Sequence, residues 1–354
     1  MKTIVLTGGG TSGHVTPNIA LLPGLKRAGY SIHYIGSKNG IEKQLIEREG
    51  IPYHSISTGK LRRYFDLNNL TDAFRVIDGL RQAFLLLGQL KPSTVFSKGG
   101  FVSCPVVWAA WLRRIPVVIH ESDITPGLTN RLSIPFVRKI CYTFPESKPH
   151  IPVSKGVWTG MPIREKLYSG NRHMGRSICG FSHKPVILVI GGSLGSEIIN
   201  GIVRKVLEIL LKDFNICHIC GKGNVKPELE KKLGYRQYEY ISEEQPHIFA
   251  LSDLVVSRAG ATVLFELLAL RKPNILIPLS KAASRGDQVL NAASFEKQGY
   301  SMVMPEEKLD ETSLVKAINE LYANRSKYRE IMKEYAVDSG VAAVLEVIES
   351  VIQE

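Results

Sequence analysis

The chain has 354 residues, too many for one compact core, so two domains are expected. Hydrophobic residues make up 44% and charged residues 22%, the balance of an ordinary globular protein, which excludes disordered and fibrous classes. Lys and Arg number 45 against 33 Asp and Glu; the resulting +12 favours anionic partners without choosing among phosphates, nucleic acid and acidic lipid.

The basic clusters Lys60, Arg62, Arg63 and Arg113, Arg114 are too short and scattered for a nucleic-acid arm, and no nucleic-acid-binding module is present, so no nucleic-acid partner is expected. No apolar run reaches the roughly 18 residues that cross a bilayer. Met1-Lys2 leads straight into a strand, so no signal peptide is expected. Five cysteines without a disulfide rhythm suit a reducing cytosol. Cys217-His218-Ile219-Cys220 falls in an apolar, strand-like run; residues three apart on a strand point to opposite faces, so core packing is expected there rather than metal or redox chemistry.

Along the chain, Thr3 to Thr7 reads as a strand that ends in Gly8-Gly9-Gly10-Thr11-Ser12-Gly13-His14. Pro17 then opens a helix whose apolar face is Ile19, Leu22 and Leu25, and Gly29 stops it. Further first-half strands are predicted at Ser31 to Ile35, Val95 to Ser97, Val117 to Ile119 and Ile140 to Tyr142. The Pro- and Gly-rich stretch from Ser147 to Pro162 reads as a domain boundary. Val186 to Ile190 then repeats the opening, ending in Gly191-Gly192-Ser193-Leu194-Gly195-Ser196 before a helical pattern from Ile198 to Leu210. Second-half strands are predicted at Ile216 to Cys220, Tyr238 to Ile241, Leu254 to Ser257 and Asn274 to Ile277. A terminal apolar stripe of Val344, Leu345, Ile348, Val351 and Ile352 fits a helix packed either back on the first domain or within the second.

Continuous apolar strands alternating with helices mean parallel sheets covered on both faces. The expected fold is therefore α/β, with two Rossmann-like doubly wound domains facing a cleft. Their expected extents are 1–160, completed by helix 340–354, and 161–339.

Each glycine loop brings backbone N–H groups and a helix N-terminus to one place, which suits a phosphate. Gly8, Gly10 and Gly13 match the dinucleotide pattern, but the second strand ends in Ile35-Gly36-Ser37-Lys38 without the ribose-binding carboxylate. Lys38 leaves an NADP variant open. In Ser257 to Glu266 a small-residue loop feeds a helix that presents Glu266, a carboxylate able to accept from both hydroxyls of a ribose. Gln288, after Gly286-Asp287, both donates and accepts and suits sugar hydroxyls; an ordinary surface residue is the plain alternative at both positions.

With these segments placed, the chain resembles the MurG family of bacterial N-acetylglucosamine transferases over nearly its whole length. The resemblance rests on Gly8 to His14; on Ser97-Lys98-Gly99-Gly100-Phe101-Val102-Ser103; on His120-Glu121 and Pro126 to Asn130; on Gly160 to Arg164; on Gly191-Gly192-Ser193; on Arg258 to Glu266; and on Gly286-Asp287-Gln288. It implies the GT-B architecture and inverting transfer of N-acetylglucosamine from UDP-N-acetylglucosamine to the C4 hydroxyl of the muramyl sugar of undecaprenyl-linked lipid I, without a cofactor. It places Arg164 and Ser193 on the UDP diphosphate, Ile241 on uracil, Glu266 on ribose, Gln288 on the sugar, and Thr11, Ser12, Gly13 and Asn130 among the substrate-binding residues. Leu194 stands where many members carry Gln, and Ser122-Asp123 replaces a Gln-Asn pair.

Displacement at the anomeric carbon needs a base for the attacking hydroxyl and a counter to the charge on leaving UDP. His14 is the first candidate base, with a phosphate-positioning role as its alternative, and Glu121 is the second. No Asp-x-Asp occurs, so no metal bridged by paired carboxylates is expected. Phe74, Ile77, Leu80, Phe84, Leu85 and Leu87 lie at helical spacing among Arg75 and Arg81, with Trp111 to Arg114 beyond. Most of this stripe is expected to face the core, the remainder forming a patch for an anionic membrane at the cytoplasmic face. A glycolipid synthase, a UDP-N-acetylglucosamine 2-epimerase and a non-catalytic UDP-sugar sensor are the competing readings.

Overall fold

The structure is a computed structural model that describes residues 2–59, 68–192, 194–280, 284–335 and 340–353; for 68–73 it describes the backbone alone. The chain forms two compact units, Met1–Arg164 with Asp338–Glu354, and Glu165–Val337.

In the first unit the strands are β1 (Thr3–Thr7), β2 (Ser31–Ser37), β3 (Tyr53–Ile56), β4 (Thr94–Ser97), β5 (Val117–Glu121), β6 (Lys139–Tyr142) and β7 (Gly156–Trp158). They form one sheet in the order β3-β2-β1-β4-β5-β6-β7, every pairing parallel. The helices are α1 (Thr16–Arg27), α2 (Ile41–Arg48), α3 (Asn68–Leu90), α4 (Ser103–Leu112) and α5 (Leu128–Ser133). Alternation along β1 sorts the core into two layers. Ile4 and Leu6 pack with Leu21 and Leu25 of α1, whereas Val5 packs with Ala83 and Leu87 of α3 and Val106 of α4. Chain order reverses between β1 and β4, so the loops that follow these two neighbouring strands open side by side at the carboxyl edge.

The second unit repeats the plan. Its strands are β8 (Val186–Ile190), β9 (Asn215–Ile219), β10 (Tyr235–Tyr238), β11 (Leu254–Ser257), β12 (Asn274–Leu276) and β13 (Met302–Val303). The order β10-β9-β8-β11-β12-β13 again reverses after the first strand of the unit, and again every pairing is parallel. Its helices are α6 (Arg172–Cys179), α7 (Glu197–Lys205), α8 (Leu207–Leu210), α9 (Gln245–Leu251), α10 (Ala261–Ala269), α11 (Asp287–Lys297), α12 (Glu311–Ala323) and α13 (Arg325–Lys333). Each unit is thus a doubly wound, Rossmann-like domain, and the α/β class read from the apolar strand pattern is the one observed.

One strand sits earlier than its pattern indicated. Tyr238 to Ile241 was expected to pair, but β10 is Tyr235–Tyr238 and Ile241 lies in the following loop. Pairing in the register Tyr235↔Ile216 buries Tyr235 and puts its hydroxyl 2.8 Å from His218 Nδ1, a partner that the apolar run around Ile241 does not reveal. The stretch read as a boundary contains the short β7, and Met161 and Ile163 beyond it are buried in the first unit.

Helix α14 (Gly340–Gln353) belongs to the first unit. Its Val344, Val347, Ile348 and Val351 join the layer built on Ile4, Leu6 and Leu21. Gly24 of α1 lets the helices touch, because a Cβ there would lie 2.4 Å from Leu345 Cδ1. At the far end Lys2 pairs with Glu349 at 2.8 Å, and the Tyr30 hydroxyl donates to the same carboxylate. Fully buried Ile348 is the centre of this docking. Ile348→Ala should cost the first unit about 2–5 kcal/mol, read as a lower urea midpoint for that unit's transition, whereas a substitution at exposed Glu334 should leave it in place.

Candidate active site

In the first unit the β1 loop turns through a single 3₁₀ turn, Ser12–His14, into α1. Thr11 is exposed, while Ser12, Gly13 and His14 are half-buried. The loop rests on the loop after β4: Gly9 N–H donates to Gly99 O at 3.3 Å, and a Cβ on Gly100 would stand 2.1 Å from Gly9 O. Gly100 has φ +86°, so it meets both a close approach and a left-handed backbone that other residues resist.

Glu42, fully buried in the first turn of α2, reaches back under this loop. Its Oε2 accepts from Gly10 N–H at 3.2 Å, and its Oε1 accepts from Ser37 N–H at 3.1 Å and from the Ser37 hydroxyl. The amide that a dinucleotide reading would assign to a diphosphate is therefore taken by a carboxylate. The NADP alternative loses its principal support, because an anion beside that amide would face a buried negative charge.

Glu121, at the end of β5, is also turned inward. Its Oε1 accepts from Asp123 N–H (3.0 Å), and its Oε2 from Gly127 N–H (3.0 Å) and Asn130 Nδ2 (2.8 Å). Burial, and then the Asp123 carboxylate, raise its pKa, while these hydrogen bonds and Lys98 pull it back down. Buried Asn130 also donates to His120 O at 3.3 Å, so its amide nitrogen serves the loop. His120 is buried, its Nε2–H donating to Gly160 O at 3.0 Å; burial and nearby Lys98 hold it well below its usual pKa, and it is a neutral brace. Lys98, unassigned by the sequence reading, lies among these groups with its ammonium on the Ser122 hydroxyl. A signal for it existed: a lysine directly after an apolar strand and before two glycines occupies the same slot as Gly8 after β1.

In the second unit the loop after β8 enters α7 through Ser196, whose side chain accepts from Ile199 N–H at 3.3 Å. Ser193 lies outside the described residues, and Leu194 is exposed. Arg258, after β11, ties the carboxyl edge together. Its Nη2 donates to Ser196 Oγ (2.7 Å) and Glu306 Oε1 (2.5 Å), and its Nη1 to Ile277 O (3.2 Å). Gln288 of α11 uses its carboxamide oxygen to hold Leu279 N–H (3.0 Å) and Ala259 N–H (3.3 Å), joining the loops after β12 and β11. The second of these loops starts α10, which carries buried Glu266. Ile241 is half-buried in the loop after β10, and half-buried Arg164 is the last residue of the first unit's long segment. The structure thus gathers Thr11 to His14, Glu121 and Asn130 around the first sheet's edge, and Glu266 and Gln288 around the second's.

Cys217 and His218 sit in β9, with Cys220 just beyond it; all three are buried, and both cysteines are free thiols. His218 Nε2–H donates to Asn200 Oδ1 at 2.9 Å. Among the described residues no group of three His, Cys, Asp or Glu is poised to hold a metal, and no helix is long and apolar enough to cross a membrane.

The stripe on α3 divides differently from expectation. Leu87 is buried, but Phe74, Ile77 and Leu85 are exposed, as are Trp111 and Leu112 of α4. Buried Ala83 and Leu87 of α3 join the core, and the exposed residues lie on another part of the same helix surface, which none of the described core residues covers. Arg113 lies 3.9 Å over the Phe84 ring and donates to Phe84 O, tying the two helices.

Residues 4–142 match the glycosyltransferase family 28 N-terminal domain, and residues 186–346 match the family's C-terminal domain. The UDP-N-acetylglucosamine–N-acetylmuramyl-(pentapeptide) pyrophosphoryl-undecaprenol N-acetylglucosamine transferase of Clostridium tetani is 57% identical over 349 residues, 98% of each chain. The protein of the same name from Clostridium botulinum strain 657 is 58% identical over 349 residues, 98% of this chain and 99% of the relative. Among solved structures, MurG of Acinetobacter baumannii has a TM-score of 0.74 at 24% identity, covering 99% of this chain and 100% of that one. The UDP-GlcNAc 2-epimerase of Neisseria meningitidis, bound to UDP-GlcNAc, has a TM-score of 0.72 at 14% identity, covering 99% and 100%. At these identities the two solved structures share the fold alone with this chain.

Arg258 is the brace most exposed to a simple test. Arg258→Ala leaves Glu306, whose side chain is only 10% exposed, without its cation, and breaking a fully buried pair from one side costs about 3–5 kcal/mol, the upper bound here. The second unit should therefore unfold at a clearly lower urea concentration, and a midpoint equal to that of the unaltered chain would show that the pair contributes nothing.

Proposed function

Since the chain belongs to glycosyltransferase family 28, among the N-acetylglucosamine transferases of the Clostridium relatives, we propose that it moves N-acetylglucosamine from UDP-N-acetylglucosamine to the N-acetylmuramyl sugar of a pyrophosphoryl-undecaprenol acceptor, making lipid II from lipid I. The observation that carries this is identity of 57–58% along 98% of the chain with relatives bearing that name.

The transfer is a single displacement. The acceptor C4 hydroxyl oxygen bonds to the anomeric carbon, the bond from that carbon to the UDP oxygen breaks with its electron pair, and the configuration inverts. His14 takes the hydroxyl proton; it stands half-buried in the β1 loop, and histidine is the side chain whose ordinary range suits that task near neutral pH. Glu121 is assigned a positioning part instead of the base, because both its oxygens are already occupied by the loop that follows it. Asn130 is assigned to the same brace, and Thr11, Ser12 and Gly13 to the acceptor. On the donor side, Glu266 holds the ribose hydroxyls, Ile241 the uracil through its backbone and Gln288 the sugar, its amide nitrogen donating while its oxygen stays on the loops. The charge that develops on UDP is met by the N-terminus of α7, Ser193 and Arg164.

The acceptor is lipid-linked, and the exposed face formed by Phe74, Ile77, Leu85, Trp111 and Leu112, bordered by exposed Arg75, Arg81 and Arg114, supplies a surface for an anionic membrane. This supports a peripheral position at the cytoplasmic face.

With a soluble lipid I analogue, UDP release should depend on the acceptor. His14→Ala should lower kcat at least about 100-fold with the donor KM little changed. Glu266→Ala should raise the donor KM roughly 10- to 100-fold, the loss of charge-assisted hydrogen bonds. Acceptor-independent release would remove the transferase reading. For the membrane face, Arg75→Glu with Arg81→Glu should weaken sedimentation with phosphatidylserine vesicles by about tenfold or more, and unchanged binding would remove it. Arg113 is left out because its ring contact with Phe84 holds the fold.

A further inference from the structure

Lys98 has no part in the reaction as set out, yet it is 1% exposed, and among the described residues no other lysine is buried. Its backbone N–H donates to Thr7 O at the end of β1 (2.9 Å), and its Cβ lies 3.2 Å from where a side chain on Gly8 would begin. Its ammonium donates to the hydroxyl of Ser122, the residue after Glu121. One residue therefore joins the loops that follow β1, β4 and β5, its backbone holding the first and its ammonium the last, all at the edge where the acceptor residues lie.

Taking an ammonium out of water costs several kcal/mol, and an apolar side chain of similar volume often serves stability as well or better. Stability alone is thus a poor reason for a charge at this point. We propose that Lys98 is a positioning residue for the acceptor: by holding Ser122, its ammonium fixes the turn from Glu121 to Gly127 beside the β1 strand end that its own backbone N–H holds. The inference rests on the transferase reading and adds a residue to it.

The groups facing the ammonium are the Glu121 and Asp123 carboxylates and the Cys141 thiol, with His120 also within its field. Burial lowers Lys98 to about 8, and the two carboxylates and the thiol pull it back up. Burial keeps His120 neutral and pushes Cys141 up to about 12, so neither changes charge near pH 8. As pH rises through that value the ammonium loses its proton and the hold on Ser122 weakens.

The test uses the full chain, UDP-N-acetylglucosamine and a lipid I analogue, with Lys98→Met, Lys98→Arg and Ser122→Ala. Lys98→Met should lower kcat/KM for the acceptor roughly 100-fold, the scale of a misplacement of about 1 Å, with donor KM unchanged. In the unaltered enzyme kcat/KM for the acceptor should fall with an alkaline midpoint of about 8. Lys98→Arg keeps its charge at all accessible pH and should move that limb upward. If Lys98→Met does not fold, Ser122→Ala, which removes the hydroxyl and keeps the charge, should still raise acceptor KM alone. Unchanged acceptor parameters in the variants that fold, or an alkaline limb unmoved in Lys98→Arg, would overturn the assignment. No acceptor-dependent UDP release from the unaltered chain would instead overturn the transferase reading, and this proposal with it.

Discussion

Two backbone segments at the carboxyl edge of each sheet lie in direct contact, with no side chain between them. In the first unit the carbonyl of Gly9 occupies the place where Gly100 would carry a Cβ; in the second, the place for a Cβ on Gly221 lies 2.4 Å from Gly195 N. Such contact requires glycine on at least one side, and it brings the loops after neighbouring strands within reach of one ligand. The assignments of substrate groups to Thr11–Gly13 and to the start of α7 depend on these contacts, because a spacer of even one methyl would part the loops.

Charged residues around those edges serve largely to hold the loops. Glu42 clamps Gly10 and Ser37, Glu121 clamps Asp123, Gly127 and Asn130, and Arg258 clamps Ser196, Ile277 and Glu306. A buried ion is tolerated only when its hydrogen-bonding capacity is filled, so each becomes a rigid centre around which irregular backbone is fixed. Glu121 in particular has both oxygens filled by the loop that follows it, which makes it a brace of that loop.

The two apolar faces of α3 show the same division at larger scale. Alternating β1 residues take one helix layer each, and α3 supplies Ala83 and Leu87 to one of them. Its Phe74, Ile77 and Leu85 are left in water, which is a cost for a protein that acts alone and an asset for one whose acceptor is embedded in lipid.

Most central strands, the helix after each opening strand and both glycine loops were legible because they depend on local periodicity: Val186 to Ile190 reads as a buried strand wherever it stands. The ordered motifs from Gly8 to Gln288 likewise point to the transferase family. Edge strands such as β3 and β13 were not legible because most of their residues are only partly buried and form no continuous apolar run, and β10 was displaced to a register that brings Tyr235 against His218. Whether Glu121 is a base or a brace, whether Ile77 faces core or water, and which domain receives α14 were likewise open in the sequence. Each depends on partners distant along the chain, as with Tyr30 and Glu349. Residue order encodes the local period of each segment, but the filling of a carboxylate's lone pairs is set only when distant segments are brought to the same point.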